Sequence, residues 1–204
     1  VGYKNNVPKG NPRNRVIIAH HLVLMGYGHW LPNDLRGSGS DEVRKELIAA
    51  LGEIHPGRKR HQPTRPELKA FHSQAQPLLE QEVIWFDEPL RKVIADSFAR
   101  TAAQFGYRVY ACAILRNHAH LVVQRHKHSH EVIWRTFAEG SRESLRVVAD
   151  LPDRHRVWGD RPYSKFLYTP QDIRGRTKYV DENPEKEGLP PQDWDFVVDF
   201  LPRH

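Results

Sequence analysis

Two histidines one residue apart, His118 and His120, stand in the run Asn117-His-Ala-His-Leu-Val-Val123. In an extended strand such residues point to the same face with Cα atoms about 7 Å apart, so their imidazoles can converge on one ion. Ala119 faces the other way, and the apolar residues that follow give the pair a rigid support. Taken alone, such a pair more often means a histidine partnered within a half-buried sheet. Farther along, Lys178-Tyr-Val-Asp-Glu-Asn-Pro184 places a phenol, Tyr179, four residues before an amide, Asn183. On one helical face the two side chains are neighbours. The phenol is then a candidate nucleophile and the amide oxygen a candidate third ligand, although a helical tyrosine is more often simply packed. A second alternating set, His126, His128 and His130, follows Gln124-Arg125 into a loop and has no apolar strand around it. It reads as a solvated, partly cationic loop ahead of a ligand set.

The elements that must position these residues follow from apolar periodicity and turn chemistry. Val16 to Met25, around the pair His20 and His21, is a strand candidate ending at Gly26 and Gly28. Residues 1 to 15 form a polar arm before it, and Trp30 to Ser40 a loop of turn formers. Asp41 to about Leu51 has a short helical pattern. Residues 52 to 80, with Pro56, Pro63, Pro66, Pro77 and the basic run Arg58-Lys-Arg60, read as having little regular structure. Together, residues 37 to 86 form an insertion within one domain spanning 1–204, with Glu82 to Phe86 a further segment leading out of it. Asp87 as N-cap, Pro89 in the first turn, apolar residues from Leu90 to Phe105 at helical spacing and a closing Gly106 define a helix. Tyr107 to Gln124 reads as two strands meeting at a turn near Leu115 to Asn117. A second helix covers Val132 to Val148, weakened at Gly140. A third starts near Thr169-Pro-Gln-Asp172, carries Tyr179 and stops at Asn183-Pro184.

The chain has 204 residues, with 31 Lys plus Arg against 25 Asp plus Glu and 13 His. Its pI of about 9.5 favours a polyanionic partner. One cysteine, Cys112, excludes an intramolecular disulfide and any multi-cysteine zinc site, which points to a reducing compartment. No stretch approaches the length of a membrane span, and no secretory pattern opens the sequence. A cytoplasmic protein is expected.

In its motifs the chain resembles the HUH-type single-tyrosine transposases of insertion sequences and their REP-associated tyrosine transposase relatives. The resemblance rests on Asn117-His118-Ala119-His120-Leu121-Val122-Val123 and, about sixty residues later, Tyr179-Val180-Asp181-Glu182-Asn183-Pro184 with Gly188-Leu189. It extends to the first strand, the helix from Leu90 to Phe105 and Arg156-Val-Trp158. Arg116 stands where the family has proline, Ala119 is a smaller middle residue, and Glu187 replaces an alanine, but neither ligands nor nucleophile are lost. The resemblance implies an α+β, ferredoxin-like antiparallel sheet with helices on one face. It also implies Mg²⁺ or Mn²⁺ on His118, His120 and Asn183, polarising a phosphate attacked by Tyr179 to give a 5′-phosphotyrosine and a free 3′-OH. Two imidazoles and an amide make an exchangeable site, suited to catalysis more than to structural zinc.

The implied partner is single-stranded or hairpin DNA in a bacterial cytoplasm, at the nucleoid when bound, with a homodimer and a monomer both open. Arg116, Asn117, Arg125, Arg176 and Lys178 are the DNA-contact candidates, Arg116 and Lys178 foremost because they adjoin the histidine pair and the tyrosine. A hairpin-binding regulator with vestigial catalytic residues is the alternative function.

Overall fold

The computed structural model describes residues 15–36, 48, 50–55, 59–160 and 162–201. Apart from Arg15, the N-terminal arm lies outside the described residues. So do Arg58 and most of the segment expected to be helical from Asp41, of which Ile48 is described and helical.

Strand β1, Ala19–Met25, begins three residues later than its apolar run. It is followed by helix α1, Arg65–Ala75, helix α2, Glu88–Phe105, strand β2, Val109–Ile114, and strand β3, His118–Gln124. Helix α3, His130–Val148, strand β4, Tyr163–Leu167, and helices α4, Pro170–Asp181, and α5, Asn183–Lys186, complete the order. The strands form one antiparallel sheet ordered β2-β3-β1-β4. Without α1, the succession through β4 is β-α-β-β-α-β, the ferredoxin-like arrangement, with the two central strands β1 and β3.

Period-two alternation divides the sheet residues between two cores. Leu22, Leu24, Leu121 and Val123 pack against Ile94 and Phe98 of α2 and Phe137 of α3. This is the one-sided helical layer that was expected. Ala19, Ala111, Ala113, Val122 and Leu167 point to the opposite face, where Ile173 and Val180 of α4 cover them. The tyrosine helix is therefore an addition on the other side, lying across β2 and β3.

Local chemistry explains the boundaries. Asp87 accepts the Leu90 N–H at the start of α2, and Gly106 ends it in the left-handed region at φ 70°. Gly140, a weak point by propensity, is where α3 meets α2: a Cβ there would lie 2.9 Å from Thr101 Oγ1. Thr169 and Asp172 cap α4 reciprocally, and Pro170 fits its first turn.

The insertion is more ordered than expected. Helix α1 has a complete capping box, Thr64 with Glu67, and Pro66 sits in the first turn, where a missing N–H costs nothing. Its Phe71 and Ala75 join Leu31 and Ile48 in a small satellite core. Glu82 to Phe86 pairs with no strand, but the Phe86 N–H donates to Arg116 O at 2.7 Å. Among the described residues, no helix is long and apolar enough to cross a membrane.

Candidate metal and nucleophile site

His118 and His120 leave β3 on the face covered by α4. Their Nε2 atoms stand 3.1 Å apart. Two nitrogens each about 2.1 Å from one ion, at angles between a right angle and the tetrahedral, are about 3.0–3.4 Å apart, so this spacing suits a shared metal.

The opposite ring nitrogens agree with that use. His118 Nδ1 lies 2.6 Å from Asn117 Oδ1, an oxygen that can only accept, which places the hydrogen on Nδ1 and frees the Nε2 lone pair. His120 Nδ1 lies 3.0 Å from His21 Nε2. With its hydrogen donated there, His120 also presents a bare Nε2. A ligating histidine characteristically gives its other N–H to such an acceptor, fixing tautomer and orientation. The residues present thus fit a divalent ion, with His21 and Asn117 as supports.

Burial sets the charge state. Desolvation is the first cause in each case: it lowers His118 to about 4, aided by Arg36 and His29. His21 falls to about 3, aided by Arg176 and Lys165. His120 is pushed well below its ordinary range, with His118, His21 and Arg176 adding to burial. Neutral imidazoles are the form that binds metal.

On the opposite face, His20 is lowered to about 4 by burial and then by His130 and Arg125. Because the unfolded chain holds these protons up to about pH 6.5, the neutral rings contribute full stability above that value, which is lost as pH falls toward 4. Chemical denaturation at pH 5 should show a stability loss of about 2 kcal/mol for each such ring relative to pH 7.5. Equal midpoints would contradict the buried neutral state.

Tyr179 reaches the same place from α4. Its ring centroid lies 5.9 Å from that of His120 and 6.1 Å from that of His21, edge-on to both, and it is 40% exposed, open to a substrate. Arg176 lies 5.0 Å and Lys186 5.5 Å from the ring centroid, so two cations flank the phenol. Arg176 also acts on His21 and His120, so its charge is felt by the histidines as well as by the phenol.

Asn183 begins α5, buried, with Nδ2 unpartnered. Among the described residues no hydrogen bond joins it to either imidazole.

The remaining candidates divide. Arg116 is exposed at the β2–β3 turn and donates to Glu187 O, tying that turn to the segment after α5. Asn117 spends its Oδ1 on His118. Lys178 is exposed, 3.8 Å from Glu182. Arg125 follows the far end of β3 and is not brought to the histidine pair.

The rival histidine set comes together only in part, with the His126 and His128 ring centroids 4.7 Å apart. His128 pairs with Tyr107 Oη at 2.8 Å, His126 accepts the His128 N–H, and His130 meets Ser164 Oγ at 3.1 Å. No described group of three His, Cys, Asp or Glu side chains is arranged around a metal position.

His21 and Lys186 had no assigned role in the sequence. His21 was visible only as part of an adjacent pair, which the strand splits between faces. The β1–β3 register, Val23 opposite His120, is what brings it to the site. Lys186 lies beyond the helix break.

Gly26 guards this geometry. Its N–H donates to Asn117 O at 2.7 Å, and an added Cβ would stand 2.7 Å from that oxygen and 2.7 Å from His29 Cδ2. Gly26→Ala should cost about 1–3 kcal/mol and weaken Mn²⁺ binding by displacing Asn117 from His118. Unchanged urea midpoint and Mn²⁺ titration would contradict this.

No family model matches the sequence, and no curated protein matches it. Among solved structures, a REP-associated tyrosine transposase bound to a REP hairpin is similar with TM-score 0.44 and 13% identity, covering 92% of this chain and 80% of its own. A candidate transposase of Deinococcus radiodurans is similar with TM-score 0.37 and 13% identity, covering 86% and 96%. Both are likenesses of overall chain path, and no residue's role rests on them.

Proposed function

We propose that this chain is a transposase-class enzyme that nicks and rejoins single-stranded DNA at hairpin-associated sites, with Tyr179 as nucleophile. The observation that carries the reading is the 3.1 Å approach of His118 Nε2 and His120 Nε2, with the accessible Tyr179 ring against His120. The two sequence motifs and the basic composition support it independently.

Mg²⁺ or Mn²⁺ on His118 and His120, with Asn183 as the candidate third donor, would supply positive charge to a phosphate oxygen. Tyr179 Oη attacks phosphorus. The new bond is Oη–P and the bond broken is P–O3′; the phenol gives up its proton and the departing 3′ oxygen gains one. Arg176 and Lys186 supply counter-charge to the phosphate at the ring. His21 and Asn117 hold the two imidazoles in the tautomers that leave Nε2 free. Because the phosphotyrosine conserves the phosphodiester's energy, a 3′-OH can reverse the step without ATP.

Incubating the protein with hairpin-flanked oligonucleotides and Mn²⁺ should give a covalent protein–DNA species, and none should form when a chelator is present from the start. Cleavage to free ends with no covalent species would overturn the reading in favour of hydrolysis by water.

A further inference from the structure

The five tryptophans of this chain are treated unequally. Trp134 and Trp158 are buried, their indole N–H groups donating to Val23 O and Ser141 Oγ. Trp194 packs against the main core. Trp30 and Trp85 are 40% and 56% exposed, and both adjoin His29. An indole left in water forgoes the gain of apolar burial, so two exposed at one place call for a reason.

That place is the His118 end of the sheet. His29 holds the Trp85 ring edge-on at 4.4 Å and lies 2.8 Å from Ile84 O, fixing the residue before Trp85. The residue after it, Phe86, donates its N–H to Arg116 O, two positions before His118. Trp85 is therefore anchored on both sides while its indole stays largely open. The Arg116 guanidinium donates to Glu187 O and feels the Glu187 carboxylate without a close ion pair among the described residues, so it stays exposed to a ligand. Nearby, Arg36 lies 3.8 Å over the Trp30 ring, pinned there by a two-point bond to the buried Asp34. The satellite core of α1 holds this loop from behind through Leu31.

A rigid open indole on a segment whose backbone bonds to that of an exposed arginine suits unpaired nucleotides: the ring stacks a base of any sequence, and the cation follows the backbone. We infer that Trp85, with Arg116, forms a stacking platform for an unpaired base a few nucleotides from the phosphate at Tyr179, built by a segment that the catalytic motifs do not include. This rests on the proposed function and names where its single strand runs. A paired duplex, whose bases are already stacked, has nothing to offer the indole.

The test uses the full chain carrying Tyr179→Phe, so that binding is read without covalent capture. Fluorescence anisotropy is measured on a hairpin with an unpaired flank and on a fully paired duplex of the same length, with Trp85→Ala and Trp85→Phe added in turn. Trp85→Ala should weaken binding of the flanked hairpin about tenfold, within the range of one lost base–aromatic stack. Binding of the duplex should stay unchanged, and Trp85→Phe should restore most of the loss. A 2-aminopurine moved along the flank should be quenched at one position in the parent and not with Trp85→Ala. If Trp85→Ala binds the flanked hairpin as tightly as the parent while the Tyr179 protein still forms its adduct, the platform is refuted and the proposed function stands. If the Tyr179 protein neither binds nor forms an adduct, both fall.

Discussion

Replacing Tyr179 by phenylalanine should abolish the covalent protein–DNA species and strand joining together, by a factor of at least about 10³, while leaving affinity for hairpin DNA within about twofold of the parent. The change removes one oxygen, which has no hydrogen-bond partner among the described residues, from a side chain that is 40% exposed. It leaves the ring that lies against His21 and His120. Folding should therefore be unaffected, and Mn²⁺ affinity should hold, because the phenol belongs to no ligand pair. A variant that kept nicking would assign the chemistry to another nucleophile. One that lost DNA affinity as well would mean that the hydroxyl binds substrate instead of attacking it.

The second large effect falls on the histidine pair. His120→Ala should remove Mn²⁺ binding detectable by titration and lower adduct formation by about 10³ or more. It deletes one Nε2 and also the link between His118 and the support at His21. A second variant separates loss of ligand from loss of fold. His21→Leu removes only the support, since leucine offers Nδ1 no acceptor while both candidate ligands stay in place. It should cost about 10- to 100-fold in metal affinity, the range of a second-shell change. If His120→Ala titrated Mn²⁺ as tightly as the parent, the 3.1 Å contact would be an ordinary hydrogen bond between rings and the metal site would lie elsewhere.

What the sequence made readable was local. Spacing of two in an apolar run put His118 and His120 on one face, a cap with proline placed the start of the tyrosine helix, and periodicity gave α2 and α3. What it hid depends on pairings between distant segments. The role of His21 comes from strand register, across 99 residues from His120. The side of the sheet taken by α4 depends on Ile173 and Val180 meeting Ala111 and Val122, which no single segment specifies. In the insertion, four prolines suggest an irregular chain by residue type, but position decides: Pro66 in the first turn, with Thr64 and Glu67 around it, opens α1. Asn117, a candidate for touching DNA, is occupied with His118, an interaction between adjacent residues that only the side-chain conformation reveals.

The most direct measurement is mass mapping of the covalent species trapped on a hairpin-flanked oligonucleotide with Mn²⁺. The predicted result is a single modified peptide carrying a 5′-phosphonucleotide on Tyr179, absent with His120→Ala. Attachment at any other residue, or the same adduct in Tyr179→Phe, would contradict the site described for this chain.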